Sequence, residues 1–423
     1  MRVTLISFGS RGDLQPAVAL GVALRRAGHR PLVVSYASFR DLVEGHGVDF
    51  LPVEGDVESL LRTDDARDQM ESGKNNPIRL FRAIRDHARA DTEKMVAGIT
   101  EGCRNAEVIV AVGGMLFAGM TMREYFGIPL VRAELQPISL PTSAFPSALA
   151  PFPAARSGLV NRASHVLTMQ LFWQVMRPIV NGVARRSLGM RPFPLRGPLA
   201  DAERERIPLL HAHSPSVLPK PPDWPEHAHV TGYWFLDRPE GFTPPAELEA
   251  FLAAGPPPVY VGFGSMMNRD PARTTEIVLG ALARSGQRGV LLTGWGGLRR
   301  TELPETVFMV DNVPHDWLLP RMAAVVHHGG AGTTAAALRA GVPSVVIPHF
   351  TDQPFWAHRV HALGVSPRPI PRRRLTAQNL AEAITAAVQD SGMRARAAAL
   401  GETIRAEDGV GRAVELIEQH TRR

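Results

Sequence analysis

Two stretches of the chain alternate short apolar, β-branched runs with longer segments of helical periodicity. In the first, VTLISF (3–8) enters a helical pattern from about Leu14 that Gly28 closes, and PLVVSYA (31–37) follows. AEVIVAV (106–112), MLFAGMTMREYFG (115–127) and IPLVRAE (128–134) then read as strand, helix and strand. In the second stretch PVYVGFGS, GVLLTGW, TVFMVD, AAVVHH, PSVVIPH and GVSPRPI, between residues 258 and 370, are strand patterns separated by helices. Apolar runs without alternation belong to strands covered on both faces, so an α/β protein built on parallel sheets is expected. Between the stretches lies LPKPPDWPEHAHVTGYWFLDRPEGFTPP (218–245), whose prolines continue neither helices nor central strands. The expected division is a domain over 1–217, a linker over 218–245, a second domain over 246–405, and a helix within 406–423 that crosses back to the first domain. Residues 57–106 and 141–216 fit neither rhythm. The second of these, with FPSALAPFP and LTMQLFWQVM, reads either as a packed helical insertion or as the wall of an apolar pocket.

A length of 423 residues leaves room for two cores. Hydrophobic residues at 44% and charged residues at 21% describe an ordinary globular chain, and no apolar run reaches the roughly 18 residues of a membrane helix. The start, MRVTLISFGS, lacks the long apolar stretch and cleavage site of a signal peptide, so a cytoplasmic chain without stable membrane insertion is expected. The single cysteine, Cys103, excludes an internal disulfide and a cysteine-based metal cluster. A formal charge of +6 raises the question of nucleic acid. The arginines are scattered, however, the RRR at 372–374 reads as a solvated loop, and no aromatic-basic interleaving accompanies them, so no nucleic-acid partner is expected.

The most informative stretch is VVHHGGAGTTAAAL (325–338), a buried-strand pattern that turns through glycines into an alanine-rich helix. Unpaired N–H groups and the positive end of the helix dipole favour an anion there, and glycines let phosphate oxygens approach the backbone. Thr333 or Thr334 can cap the helix or donate a hydroxyl, and His328 adds a donor, either as a protonated ring or through a neutral N–H. A bland alternative is a glycine turn with a threonine N-cap. A sharper rival is the dinucleotide fingerprint: Gly330-x-Gly332-x-x-Ala335 is followed by Asp352 at the distance of a ribose-binding acid, which would suit an NAD-dependent oxidoreductase. That fingerprint ordinarily opens the first βαβ unit of a domain, and it leaves the paired histidines unexplained. Gly264-Ser265 ends another strand pattern. Asp352 and Gln353 pair a carboxylate with an amide, which together accept from and donate to neighbouring hydroxyls of one sugar ring, although capping by Thr351 or Asp352 would also account for the acid. In SFGSRGD, Asp13 stands at the rim of the first domain, either as a general base or as the N-cap of the following helix.

FGSRGDLQP, VYVGFGSM, HHGGAGTT and PHFTDQPFWAHRVHALGV, in this order and spacing, closely resemble inverting nucleotide-sugar glycosyltransferases of the UDP-glycosyltransferase family. The similarity is greatest to the sterol glucosyltransferases and the bacterial antibiotic-tailoring enzymes. The resemblance implies a GT-B architecture, two Rossmann-like domains with parallel sheets facing across a cleft, acceptor in the first and sugar donor in the second. It implies that Ser10, Ser265, His328, Gly330, Ala331, Gly332 and Thr333 bind the donor diphosphate. Val313 is placed at the base, Asp352 and Gln353 at the sugar, and Asp13 as the general base; Trp295 reads either as a residue that helps position the base or as a core tryptophan. Asn312 stands where plant relatives stack a tryptophan on uracil, and Ala336 replaces their ribose-binding glutamate, which leaves UDP and dTDP both open. No Asp-x-Asp motif lies at a strand end, and TDDARD (63–68) falls in a polar, irregular region, so neither a metal nor a cofactor is expected. The expected reaction is transfer of a hexose from UDP- or dTDP-sugar to a hydroxyl of a large apolar acceptor. A non-catalytic helper that kept the fold is the remaining alternative.

Overall fold

The computed structural model describes residues 1–55, 92–239, 241–264, 270–293 and 303–422. Ser265, Trp295 and the TDDARD run lie outside the described residues. Two parallel sheets organise the chain. The first contains β1 (Arg2–Ile6), β2 (Arg30–Tyr36), β3 (Asp49–Val53), β4 (Val108–Val112), β5 (Leu130–Glu134), β6 (Leu209–His211) and β7 (Ala228–Val230), in spatial order β3-β2-β1-β4-β5-β6-β7. The second contains β8 (Val259–Gly262), β9 (Gly289–Leu292), β10 (Val307–Val310), β11 (Ala324–His327) and β12 (Ser344–Val346), in order β10-β9-β8-β11-β12. In both sheets the order reverses beside the first strand, between β1 and β4 and between β8 and β11. Loops leaving the carboxyl ends of strands diverge at such a switch point and open a crevice. The segments Ser7–Ser10, after β1, and His328–Gly330, after β11, therefore stand at the mouths of such crevices.

β1, β4 and β5 are almost wholly buried, which explains their unbroken apolar runs. β6, β7 and β12 are three residues each, too short to display a pattern. β7 falls inside the proline-rich stretch as the edge of the first sheet, so within 218–245 only 231–245 follows the last strand of that sheet. GVSPRPI (364–370) is not a strand. Pro367 and Pro369 remove the N–H groups a ladder needs, and the backbone bonds to β12 are Ser344 N–H to Val365 O (3.1 Å) and Ile370 N–H to Val346 O (3.0 Å).

Helix α1 (Arg11–Arg26) begins three residues before Leu14 because Ser10 ends the loop as its N-cap. Helices α2 (Leu116–Phe126) and α3 (Gly158–Ile179) belong to the first domain. Helices α4 (Ala331–Ala340), α5 (Gln353–Ala362) and α6 (Ser391–Ala406) belong to the second. The last helix, α7 (Gly409–Thr421), buries Ala413, Val414, Leu416 and Ile417 in the same core as Leu14, Val18 and Leu20 of α1, and Glu418 Oε1 lies 2.9 Å from His29 Nε2. The chain thus passes between the domains twice, at 231–245 and at 407–408. Gly232 (φ +105°) and Gly409 meet where these crossings touch, so closely that a Cβ on Gly232 would stand 3.0 Å from Gly409 Cα. A shared core joins the domains beneath the cleft, with Phe145 and Trp224 from the first and Leu338, Phe355 and Trp356 from the second. Among the described residues no helix is long and apolar enough to cross a membrane.

Candidate active site

A cleft of about 1890 Å³ lies between the two switch points and is lined from both domains. Ser10, Arg11 and Asp13 face it from the start of α1. Asn312, Val313, His328, Gly330, Ala331, Gly332, Thr333, Asp352 and Gln353 face it from the second domain. The structure therefore gathers every described residue named from the sequence at one site.

The glycine turn is built for an occupant. Gly330, not a threonine, is the N-cap of α4, and no side chain caps that helix end. The threonine-capped turn considered from the sequence is thereby set aside. Thr334 Oγ1 is buried without a hydrogen-bond partner. The two histidines divide the labour. His327 is fully buried and its Nδ1 accepts from Gly329 N–H (3.1 Å), which turns the backbone; His328 lines the cleft with Nδ1 buried and unpaired. The His328 ring lies between two glycines: a Cβ on Gly264 would come within 2.9 Å of Cε1, and one on Gly330 would overlap Nε2. Burial, with His315 nearby, pulls the His328 pKa down to about 4. It is therefore uncharged near neutrality, and the protonated form considered from the sequence gives way to a neutral ring that offers an N–H.

Asp352 and Gln353 open α5 under tension. Thr351 takes a left-handed backbone (φ +57°), which threonine adopts only where its surroundings demand it. Its hydroxyl lies 2.9 Å from Asp352 Oδ1, while Trp356 Nε1–H donates to Oδ2 (3.0 Å). Burial, reinforced by the nearby charge of Asp13, raises the Asp352 pKa to about 6. Gln353 Oε1 accepts from the backbone N–H groups of His349 (2.8 Å) and Phe350 (3.3 Å). The amide next to Asp352 thus has a structural duty that the sequence did not reveal, so its presence alone no longer argues for sugar recognition.

Asp13 is the third residue of α1. Its Oδ2 accepts from Ser10 N–H (2.8 Å) and from Ser10 Oγ–H (2.9 Å), so the carboxylate closes the helix start while facing the cleft. It is not the N-cap that the sequence allowed; Ser10 holds that place. Burial lifts its pKa above the ordinary carboxylate value, against the two Ser10 bonds that lower it. Ser10 Oγ is committed to Asp13. Arg11, absent from the sequence-derived site, reaches across the mouth to Asn312 Oδ1 (3.4 Å). Only the fold could bring residues 11 and 312 together.

Residues 3–135 match the glycosyltransferase family 28 N-terminal domain, and residues 295–415 match the C-terminal domain of erythromycin biosynthesis protein CIII-like proteins. Over 99% of its length the chain is 34% identical to one sterol 3-beta-glucosyltransferase of Arabidopsis thaliana and 35% identical to another, and it spans 68% and 66% of them. The chain belongs to the family of sterol glucosyltransferase-like glycosyltransferases. It is also 34% identical to the sterol 3-beta-glucosyltransferase of Neurospora crassa, of which it spans 27%; it thus covers from about a quarter to two thirds of these relatives. Solved structures share the fold along its whole length. The glycosyltransferase VinC, in complex with dTDP, superposes with a TM-score of 0.67 at 19% identity over 100% of both chains. SnogD from Streptomyces nogalater gives 0.65 at 21% identity over 99% of both. The architecture is GT-B.

Membership of this glycosyltransferase family removes the dinucleotide reading of the glycine turn, and the topology agrees. The turn follows β11, the fourth strand of its sheet in chain order, not the first. On the other side of the cleft the family member carries an apolar wall of Met115, Phe117 and Met122 with Phe172, Met176 and Ile179. Three of these six lie in the 141–216 segment, so its pocket-wall reading is the one the structure supports. The signal missed in the sequence was that α2, a regular strand-associated helix, and Met115 just before it supply the rest.

Proposed function

We propose that this chain is an inverting glycosyltransferase that moves a hexose, glucose in the first instance, from a UDP- or dTDP-sugar to a hydroxyl of a large apolar acceptor such as a sterol or polyketide. The observation that carries the reading is the meeting of Asp13 with the uncapped start of α4 and with Asp352 in one two-domain cleft. The acceptor oxygen attacks the anomeric carbon and passes its proton to Asp13. The bond from that carbon to the diphosphate breaks on the opposite face, and the configuration inverts. The N–H groups of Gly332 and Thr333 and the His328 ring receive the negative charge on the leaving oxygen. A carboxylate is a weak base for an alcohol, so the proton moves late, as the new bond forms; burial of Asp13 strengthens the base.

Asp352 holds sugar hydroxyls with whichever lone pairs Thr351 and Trp356 leave to it. Val313 stands at the base. The acceptor-binding unit is 1–230, joined through 231–245 to the donor-binding unit 246–405, with 406–423 returning to the first. The helix dipole and His328 supply the charge stabilisation that a metal supplies elsewhere, so the reaction is proposed to be metal-independent. Incubating the chain with UDP-glucose or dTDP-glucose and a panel of sterols and macrolides, with and without EDTA, tests all of this by mass spectrometry. Hexose addition that survives EDTA is expected. Transfer to small polar sugars alone would refute the acceptor class, and loss with EDTA would refute metal independence.

A further inference from the structure

The chain's positive charge is unevenly laid down. Residues 135–200 carry seven arginines and no aspartate or glutamate, so with a total of +6 the rest of the chain is net −1. This segment contains α3, and α3 has two apolar faces. Phe172, Met176 and Ile179 line the cleft. Leu159 (83% exposed), Val166 (52%) and Leu167 (69%) point to solvent, spaced seven and eight residues apart and so on one side of the helix. Leu195 (63% exposed) extends the stripe: its carbonyl accepts from Gln170, Trp173 and Gln174 side chains of α3. Of the six exposed large apolar side chains among the described residues, five belong to this segment, a concentration that single scattered exposures do not produce. Arg156, Arg162 and Arg196, all exposed, adjoin the stripe in sequence. Arg162 approaches Asp223 only to 4.0 Å, with 57% of its side chain in water.

We propose that the outer face of α3 is an interfacial docking surface for an anionic lipid bilayer. An apolar stripe bordered by arginines, with no acid in the segment, complements a boundary whose outer layer is phosphate and whose inner layer is hydrocarbon. No membrane-spanning helix is needed, only one lying on the surface. The same helix forms the acceptor wall, so docking presses the acceptor end of the cleft toward the membrane. A sparingly soluble alcohol then leaves the bilayer without crossing bulk water. This last step rests on the apolar-acceptor reading; the docking itself does not.

The test uses the full chain without donor or acceptor. Sedimentation is measured with vesicles of phosphatidylcholine alone and of phosphatidylcholine with phosphatidylglycerol, beside light scattering of the free chain. Binding to the anionic vesicles and its weakening by salt are expected. Arg156→Gln, Arg162→Gln and Arg196→Gln together should lower the partition coefficient by about 100-fold, roughly fivefold for each arginine near the surface. Leu159→Gln with Leu167→Gln should lower it by at least about tenfold, with unchanged circular dichroism because both side chains are exposed. Failure of the parent chain to sediment with anionic vesicles overturns the proposal, as does full binding by both variants. A dimer that parts in the leucine variant also overturns it, since a second copy would then cover the stripe. Vesicle binding without transfer to any apolar alcohol would leave docking standing and overturn the acceptor reading alone.

Discussion

Gly332→Ala separates the two things the glycine turn does. Gly332 is the second residue of α4, and a Cβ built on it meets nothing within 4 Å. The protein has no steric objection to alanine there. Alanine lowers the entropy cost of ordering a helical residue, so the substitution should stabilise the fold by about 0.5–1 kcal/mol. For a domain of this size that raises the melting temperature by roughly 1–4 °C. The open space, however, is where the proposed diphosphate sits. A methyl group there holds the phosphate oxygens away from the uncapped N–H groups. Losing one hydrogen bond to a charged group costs about 1.5–3 kcal/mol, a 10- to 100-fold weaker affinity. Calorimetric titration with UDP and dTDP, beside thermal melts of the unliganded chain, reads both effects. Higher stability with weaker binding of both nucleotides is the expected outcome. Higher stability with unchanged affinity would show that no phosphate approaches Gly332, and the donor assignment of the turn would fall with it.

Asp13→Asn keeps an acceptor for Ser10 and removes the base, so turnover should fall about 10²- to 10⁴-fold with little change in melting; a parent-like rate would refute the base assignment. Asp352→Asn should abolish transfer and also shift the pH dependence of stability. Since the folded-state pKa of about 6 lies above the ordinary 3.8, the parent loses stability as pH rises from about 4 to 6, and the variant does not. Its advantage should grow to about 1–3 kcal/mol above pH 6 and vanish near pH 4, and a constant difference in melts across that range would contradict the buried-charge account. Gln353→Ala strips the acceptor from two buried N–H groups and should cost about 1–3 kcal/mol by denaturant unfolding, whatever its effect on sugar selectivity.

The parallel strands and the glycine turn were legible because each declares itself locally, through buried apolar runs and a strand-to-helix turn whose Gly329 and Gly330 have steric reasons. His328 is a clear case: its two glycine neighbours are needed so that the ring fits. β6 and β7 were not legible, since three residues carry no period and prolines mask the second. The turn-closing role of Gln353 was not legible because a side chain that caps a turn and one that grips a sugar look alike in sequence. Arg11 went unnoticed because its partner lies 301 positions away. The basic segment does not show in the clustering of arginines, because its signature is the absence of acids.

The glycine-to-glycine contact at 232 and 409 has a mechanical meaning. Two chain crossings pressed together at one point make a pivot, not a pair of slack tethers. Sliding the domains apart would tear that contact, whereas rotation about it leaves its length unchanged. Points at the pivot then move least and points at the far rim move most, and Arg11 and Asn312 face each other across that rim. A small angular opening breaks their bond and widens the entrance, working against the shared core in which Phe145 and Phe355 pack together. The enzyme would breathe like jaws on a fixed pin, and the Arg11–Asn312 bond would be its latch.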